Sequence, residues 1–198
     1  MNILNTEEIL VKFRGDRVYV HSIDILEAIY EKYKEVVIER IDLVLKKNTS
    51  HNIIFTSTFP TQKNVIGQFD IYTSGQSCNR IYITPGVGEV TEKLLIDEKQ
   101  KEKQLKIKLD AGSKSVVFLA KSDIVCFEEI FYGLKKLHNT YFGNRNKFFT
   151  VKVDILNKKK KGNYKVELWR QLGDFLYEYD VTKAGEKICT VWVARELL

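Results

Sequence analysis

The sequence predicts an α+β chain built from two tandem units, each a long helix wrapped by an antiparallel sheet. Three observations carry this. One amphipathic helical stretch stands in each half, runs rich in β-branched residues follow it, and the order strand, helix, hairpin, hairpin is read twice along the 198 residues. With 44% apolar residues the chain can build its cores without covalent staples. The predicted boundaries are 1–86 for the first unit, 87–112 for a connector with an opening strand, and 113–198 for the second unit.

The first half opens with a strand-like run Leu10–Arg14, a turn at Gly15-Asp16, and a second strand Arg17–His21. A helix follows, with Ser22 or Asp24 as its cap. Ile25, Leu26, Ile29, Tyr30 and Tyr33 recur at helical spacing to about Glu35. The β-branched run Val36–Leu45, a polar break at Lys46–His51 and the run Asn52–Phe59 predict a hairpin. A second hairpin joins Ile66–Thr73 to Arg80–Thr84 through Ser74-Gly75-Gln76-Ser77.

The second half repeats the course. Val117-Phe118-Leu119 lies on Val18-Tyr19-Val20, and a helix starting at Ser122-Asp123 carries Ile124, Val125, Phe127, Ile130, Phe131 and Leu134 on an apolar stripe ending near His138–Gly143. Phe149–Leu156 then places Val153-Asp154-Ile155 on Ile41-Asp42-Leu43. Tyr164–Trp169 answers Asn52–Thr56, and Leu172-Gly173-Asp174-Phe175 answers Ile66-Gly67-Gln68-Phe69. A turn at Lys183–Glu186 leads to the last strand, Lys187–Ala194.

Composition narrows the function classes. The sequence has no run of about 18 apolar residues, and its first residues show neither a basic nor an apolar leader region, so a soluble cytoplasmic protein is expected. The three cysteines include no CxxC pair, and the three histidines are scattered; no disulfide framework, metal site or cofactor is implied. Pro85-Gly86-Val87-Gly88 lacks the strand-turn-helix context and following lysine of a phosphate loop. The net charge of +6 fits phosphates, acidic proteins or nucleic acid as partners.

His21, Asp24 and Glu27 stand at the start of the first helix, where an imidazole beside carboxylates is the equipment of proton transfer. The same spacing also describes a strand-end histidine beside a helix cap. Cys126 reads as a packing thiol, and His51 and His138 as solvent-facing residues of a turn and a helix end. Lys158, Lys159, Lys160 and Lys161 form a hairpin tip that is either simply solvated or a docking patch for phosphates.

A strand leading into one apolar helix and then into a meander resembles the hot-dog fold, and two in tandem resemble a double hot dog, one chain imitating a dimer. The helix segments Ile25-Leu26-Glu27-Ala28-Ile29 and Cys126-Phe127-Glu128-Glu129-Ile130 resemble the central helix of the β-hydroxyacyl-thioester dehydratases. The resemblance implies handling of an acyl thioester, of coenzyme A or of an acidic acyl carrier protein, by dehydratase- or thioesterase-like chemistry in a cleft between the helices. It assigns Glu27 and Glu128 the part of the helical acid. His21 or Glu128 would then shuttle protons, Glu27 or Asp24 would orient them, and Lys158–Lys161 would meet the phosphates of coenzyme A. The alternatives are a non-catalytic binding module and a nucleic-acid-binding protein that uses the lysine-rich turns.

Overall fold

Ile25, Leu26 and Ile29 do bury one face of a helix, α1 (Ser22–Lys32), which ends at the cap residue Tyr33 rather than near Glu35. The computed structural model describes residues 8–15, 17–60, 64–74, 76–95, 100, 104–110, 112–118, 126–143, 148–156 and 162–195. By compactness the chain divides into two units, Met1–Ile96 and Asp97–Leu198. The described architecture is α+β, with antiparallel sheets and two long helices.

Besides α1, the first unit holds β1 (Glu8–Ile9), β2 (Phe13–Arg14), β3 (Ile38–Leu45), β4 (His51–Thr56), β5 (Gly67–Thr73), β6 (Gln76–Glu89) and β7 (Lys93–Leu94). Its sheet runs in the order β1-β4-β6-β5-β3, all antiparallel, while β2 and β7 form a small parallel pair. Arg17–His21 is not a strand, because His21 turns into α1 as its N-cap. Nor do β3 and β4 make the expected hairpin. The backbone of the segment between them is satisfied elsewhere: Lys46 N–H donates to Ile66 O, Val90 N–H to Ser50 O, and Val20 N–H to Thr49 O. With no tight turn to join them, β3 pairs with β5, and β4 with β1 and β6. The hairpin of β5 and β6 forms as expected.

The second unit holds β8 (Lys108–Asp110), β9 (Ser115–Phe118), α2 (Phe127–Phe142), β10 (Phe148–Leu156), β11 (Tyr164–Leu172), β12 (Leu176–Lys183) and β13 (Glu186–Arg195). Its strand order is β8-β9-β11-β12-β13-β10. Here β11 neighbours the next strand in sequence, β12, whereas β4 of the first unit skips β5 to reach β6. The expected helix start at Ser122-Asp123 falls outside the described residues, as does Leu119.

Two supposed landmarks of the repeat separate in three dimensions. Gly67 opens β5, where a side chain would strike Val44 O at 2.7 Å; Gly173 has φ +60° and makes the turn between β11 and β12. Likewise Val117-Phe118 belongs to β9, while Val18-Tyr19-Val20 is not a strand. A third landmark stays in step. Ile41 and Leu43 are fully buried in β3 and Val153 and Ile155 in β10, with Asp42 held by Arg40 at 2.6 Å and Asp154 by Lys152 at 3.0 Å.

The cores sit between helix and sheet. In the first unit Tyr33 meets Phe69 edge-on at 6.1 Å, and Phe69 meets Phe55 at 4.9 Å. In the second, α2 crosses β9 so closely that a Cβ on Gly133 would overlap the ring of Phe118, which leans on Tyr164. Each fully buried Leu, Ile or Phe stabilises its unit by ~1.5–3 kcal/mol. No helix among the described residues is long and apolar enough to cross a membrane.

Candidate functional site

The start of α1 gathers several polar groups of the first unit. Pairing of β2 with β7 carries Arg14 inward until it is only 5% exposed. Arg14 Nε donates to Asp24 Oδ1 at 2.5 Å, and its Nη2 donates to Glu27 Oε2 at 2.6 Å. One guanidinium therefore clamps two carboxylates a turn apart on the helix. Asp24 Oδ2 accepts the His21 backbone N–H at 3.1 Å, and His21 Nδ1 accepts the Ile23 N–H at 3.2 Å, which completes a capping box. Burial pushes the Asp24 carboxyl above its ordinary value, with Arg14, the His21 N–H and Arg17 pulling it back. Glu27, by contrast, is about half exposed.

Asp24 and Glu27 are thus brought together around an arginine that the sequence did not flag, while His21 meets Asp24 through its backbone N–H and turns its ring to the Ile23 N–H. A lone arginine ahead of a Gly15 turn carries no signal of burial. The cap is His21 itself, with neither Ser22 nor Asp24 in that position. Its Nδ1 must be unprotonated to accept the Ile23 N–H.

The start of α2 is built from different chemistry. Cys126 occupies the N-cap, its side chain makes no cap bond, and its N–H donates to Tyr164 Oη at 3.1 Å. Tyr164 and Lys183 are both fully buried. The Lys183 ammonium stands 3.5 Å from Tyr164 Oη and 4.8 Å from the centre of its ring. Burial lifts the Tyr164 phenol to about 12, opposed by the Cys126 N–H. Burial also raises the Cys126 thiol, the Glu129 N–H pulls it back, and the Glu129 and Glu128 charges add to the rise, so a reactive thiolate is disfavoured. Cys189 is buried and raised too, again by burial first.

Counting from the two caps corrects the helix alignment. Asp24 and Glu129 are both third in their helices and both buried, while Glu128 lies one residue earlier and is half-buried. Ile25 then falls on Ile130 and Leu26 on Phe131, all four buried. Sequence reasoning missed Glu129, Tyr164 and Lys183. Lys183 reads as an ordinary turn lysine, and only the pairing of β12 with β11 at Lys183 and Tyr164 takes it inside.

At the far end of α2, His138 is 2% exposed, against the expectation of a solvent site, and its Nδ1 lies 2.5 Å from Tyr179 Oη. His51 opens β4 and is half-buried instead of occupying a turn. Of the aromatics, Trp169 and Phe175 are exposed near the β11–β12 turn, and Trp192 lies under the Lys152 ammonium. Lys158, Lys159, Lys160 and Lys161 fall outside the described residues.

No family model matches the chain, and no curated protein matches it in sequence. Among solved structures it is similar to a candidate thioesterase from Novosphingobium aromaticivorans, with 9% identity and a TM-score of 0.51, covering 96% of this chain and 92% of that one. It is similar as well to the tesB protein of Mycobacterium avium subsp. paratuberculosis, at 7% identity and a TM-score of 0.48 over 90% of this chain and 88% of that one. A third likeness is to the dehydratase domain of PpsC from Mycobacterium tuberculosis in complex with C12:1-CoA, at 13% identity and a TM-score of 0.47 over 100% and 90%. The first of these likenesses speaks to fold alone: over almost its whole length the chain shares the fold of that candidate thioesterase.

Proposed function

We infer that this chain handles acyl thioesters, as a tandem pair of hot-dog units that receive an apolar acyl chain and hold its thioester end near a helix start. The observation that carries this reading is the fold, shared over almost the whole length with the Novosphingobium aromaticivorans candidate thioesterase. The site chemistry is compatible with it. A carboxyl raised by burial beside a half-exposed carboxylate is an arrangement suited to proton transfer, and Asp24 and Glu27 supply it. Lys158–Lys161 and an acidic carrier protein or the phosphates of coenzyme A complete the reading by charge.

A second reading, binding without turnover, is favoured by one specific observation. The His21 ring already serves the helix cap and Arg14 pins both carboxylates, so the groups assigned to proton transfer have structural duties.

The test is calorimetric titration of the full chain with acyl-coenzyme A thioesters of short to long chains, beside an assay for released thiol. Saturable binding that strengthens with chain length is expected. Thiol release or loss of water from a hydroxyacyl substrate would assign catalysis, and binding without either would assign the second reading. No binding to any acyl-coenzyme A or acyl carrier protein would sink both.

A further inference from the structure

His138 lies in the last turns of α2, where a histidine ordinarily meets water. Its ring is instead enclosed by Phe142 at 4.7 Å on the same helix, by Phe148 of β10, and by Tyr177 and Tyr179 of β12 at 5.0 and 6.0 Å. Nδ1 is hydrogen-bonded to Tyr179 Oη, while Nε2 is buried and has no hydrogen-bond partner among the described residues. Only a neutral imidazole is comfortable there. A second proton would create a buried cation whose Nε2–H has no acceptor among the described residues.

The neighbouring groups offer such a cation little. Among the described residues the facing titratable groups from β12 are the Tyr177 and Tyr179 phenols, β10 contributes the Phe148 ring, and β13 pairs the apolar Val193 and Val191 with the two tyrosines. Asp174 and Arg195 act on the Tyr177 phenol in opposite directions, and Asp174 is exposed in the turn before β12. Glu178 alternates to the other face of β12 and is held by Arg170 at 2.7 Å. On α2, the Tyr141 hydroxyl is directed to Asp110 O. Burial is the one influence on the ring, and it holds the imidazole down to about 4.

We propose that His138 is an acid-sensitive latch on the C-terminal turn of α2: protonation expels the imidazole from its aromatic cage and frees Leu137–Phe142 from the β10 and β12 surface. The rest of the helix stays seated through Phe127, Ile130 and Leu134 and through the Gly133–Phe118 contact. Return to neutral pH closes the latch. The proposal is independent of what the chain binds, since the cage lies at the opposite end of α2 from Cys126.

The test follows the full chain from about pH 8 to about pH 3.5, by the NMR ring signals of His138 and by near- and far-ultraviolet circular dichroism. A reversible loss of tyrosine near-ultraviolet signal is expected, together with His138 protonation, at a midpoint well below 6.5 and with most helicity retained. His138→Phe should abolish it, once its fold at neutral pH is verified by far-ultraviolet spectrum and urea midpoint. Tyr179→Phe removes a bond made only in the closed state, so its midpoint should rise by about half to one pH unit. The latch is refuted if the wild type shows no transition before global acid unfolding, or if a folded His138→Phe keeps the transition. An unmoved midpoint in Tyr179→Phe also refutes it, and decides the matter if His138→Phe does not fold.

Discussion

The two helices bury polar groups by opposite means. At the start of α1 the buried Arg14 is clamped between the buried Asp24 and the half-exposed Glu27, with the cap supplied by His21. Along α2 the buried Glu129 and Lys183 stand beside neutral pairs: the Tyr164 phenol takes the Cys126 N–H, and the Tyr179 phenol meets His138. An ionic cluster is stabilising only while every member is present, because removing one leaves another charge in a place that water does not reach. A neutral pair loses less when one partner goes, but becomes vulnerable when pH puts a charge on it. The first unit should therefore be sensitive to substitution and the second to acid.

The largest expected effect is in the ionic cluster. Arg14→Met should destabilise the protein by about 3–5 kcal/mol in urea unfolding, because Asp24 is left buried without its cation. A loss under about 1 kcal/mol would mean that the clamp is held as loosely as a surface pair. Next comes the acid response of His138. Its folded value of about 4 lies below the ordinary 6.5, so the folded state refuses a proton that the unfolded chain accepts. Its contribution to stability is full above pH 6.5 and is lost as pH falls toward 4, by ~3 kcal/mol at most. Asp24, raised by burial, works with the other sign. The fold gains from it when it is protonated, and that gain is lost as pH rises through its folded value. Stability measured against pH in His138→Phe and Asp24→Asn should separate the two slopes.

Smaller is Tyr164→Phe, which strands the Cys126 N–H and should cost about 1–3 kcal/mol. Smallest is the His21 cap. His21→Ala should lose ~1 kcal/mol, and His21→Asn, whose side-chain oxygen can take the same N–H, should recover most of it. If thioester turnover is found, the Asn variant also divides the two roles of His21. Activity retained alongside recovered stability assigns the cap alone, and activity lost despite recovered stability assigns proton transfer.

Much of the secondary structure was legible in order, because the signals for it are local. Ile25, Leu26 and Ile29 announce α1, and Ile130, Phe131 and Leu134 announce α2, from spacing alone. The Asp42 and Asp154 strands could be matched because their buried neighbours alternate in the same way. Legibility failed at the candidate site. His21, Asp24 and Glu27 are close in sequence and so could be grouped. Arg14 lies beyond a turn, and Tyr164 and Lys183 are far from Cys126, so their grouping depends on contacts that no spacing encodes.

By itself, then, the sequence determined the α+β class, the two amphipathic helices, the hairpin at Lys183–Glu186 and the hot-dog resemblance. The class, the helices and the hairpin follow from periodicity and turn chemistry within a few residues, while the hot-dog fold enters only as a resemblance. Only the tertiary structure decided that β4 neighbours β6 while β11 neighbours β12. It alone also decided that His21 is a cap, and that Arg14, Lys183 and His138 lie inside. Strand partners and the burial of polar side chains are settled by competition among distant segments for the same hydrogen bonds and the same dry space, and that competition leaves no local trace.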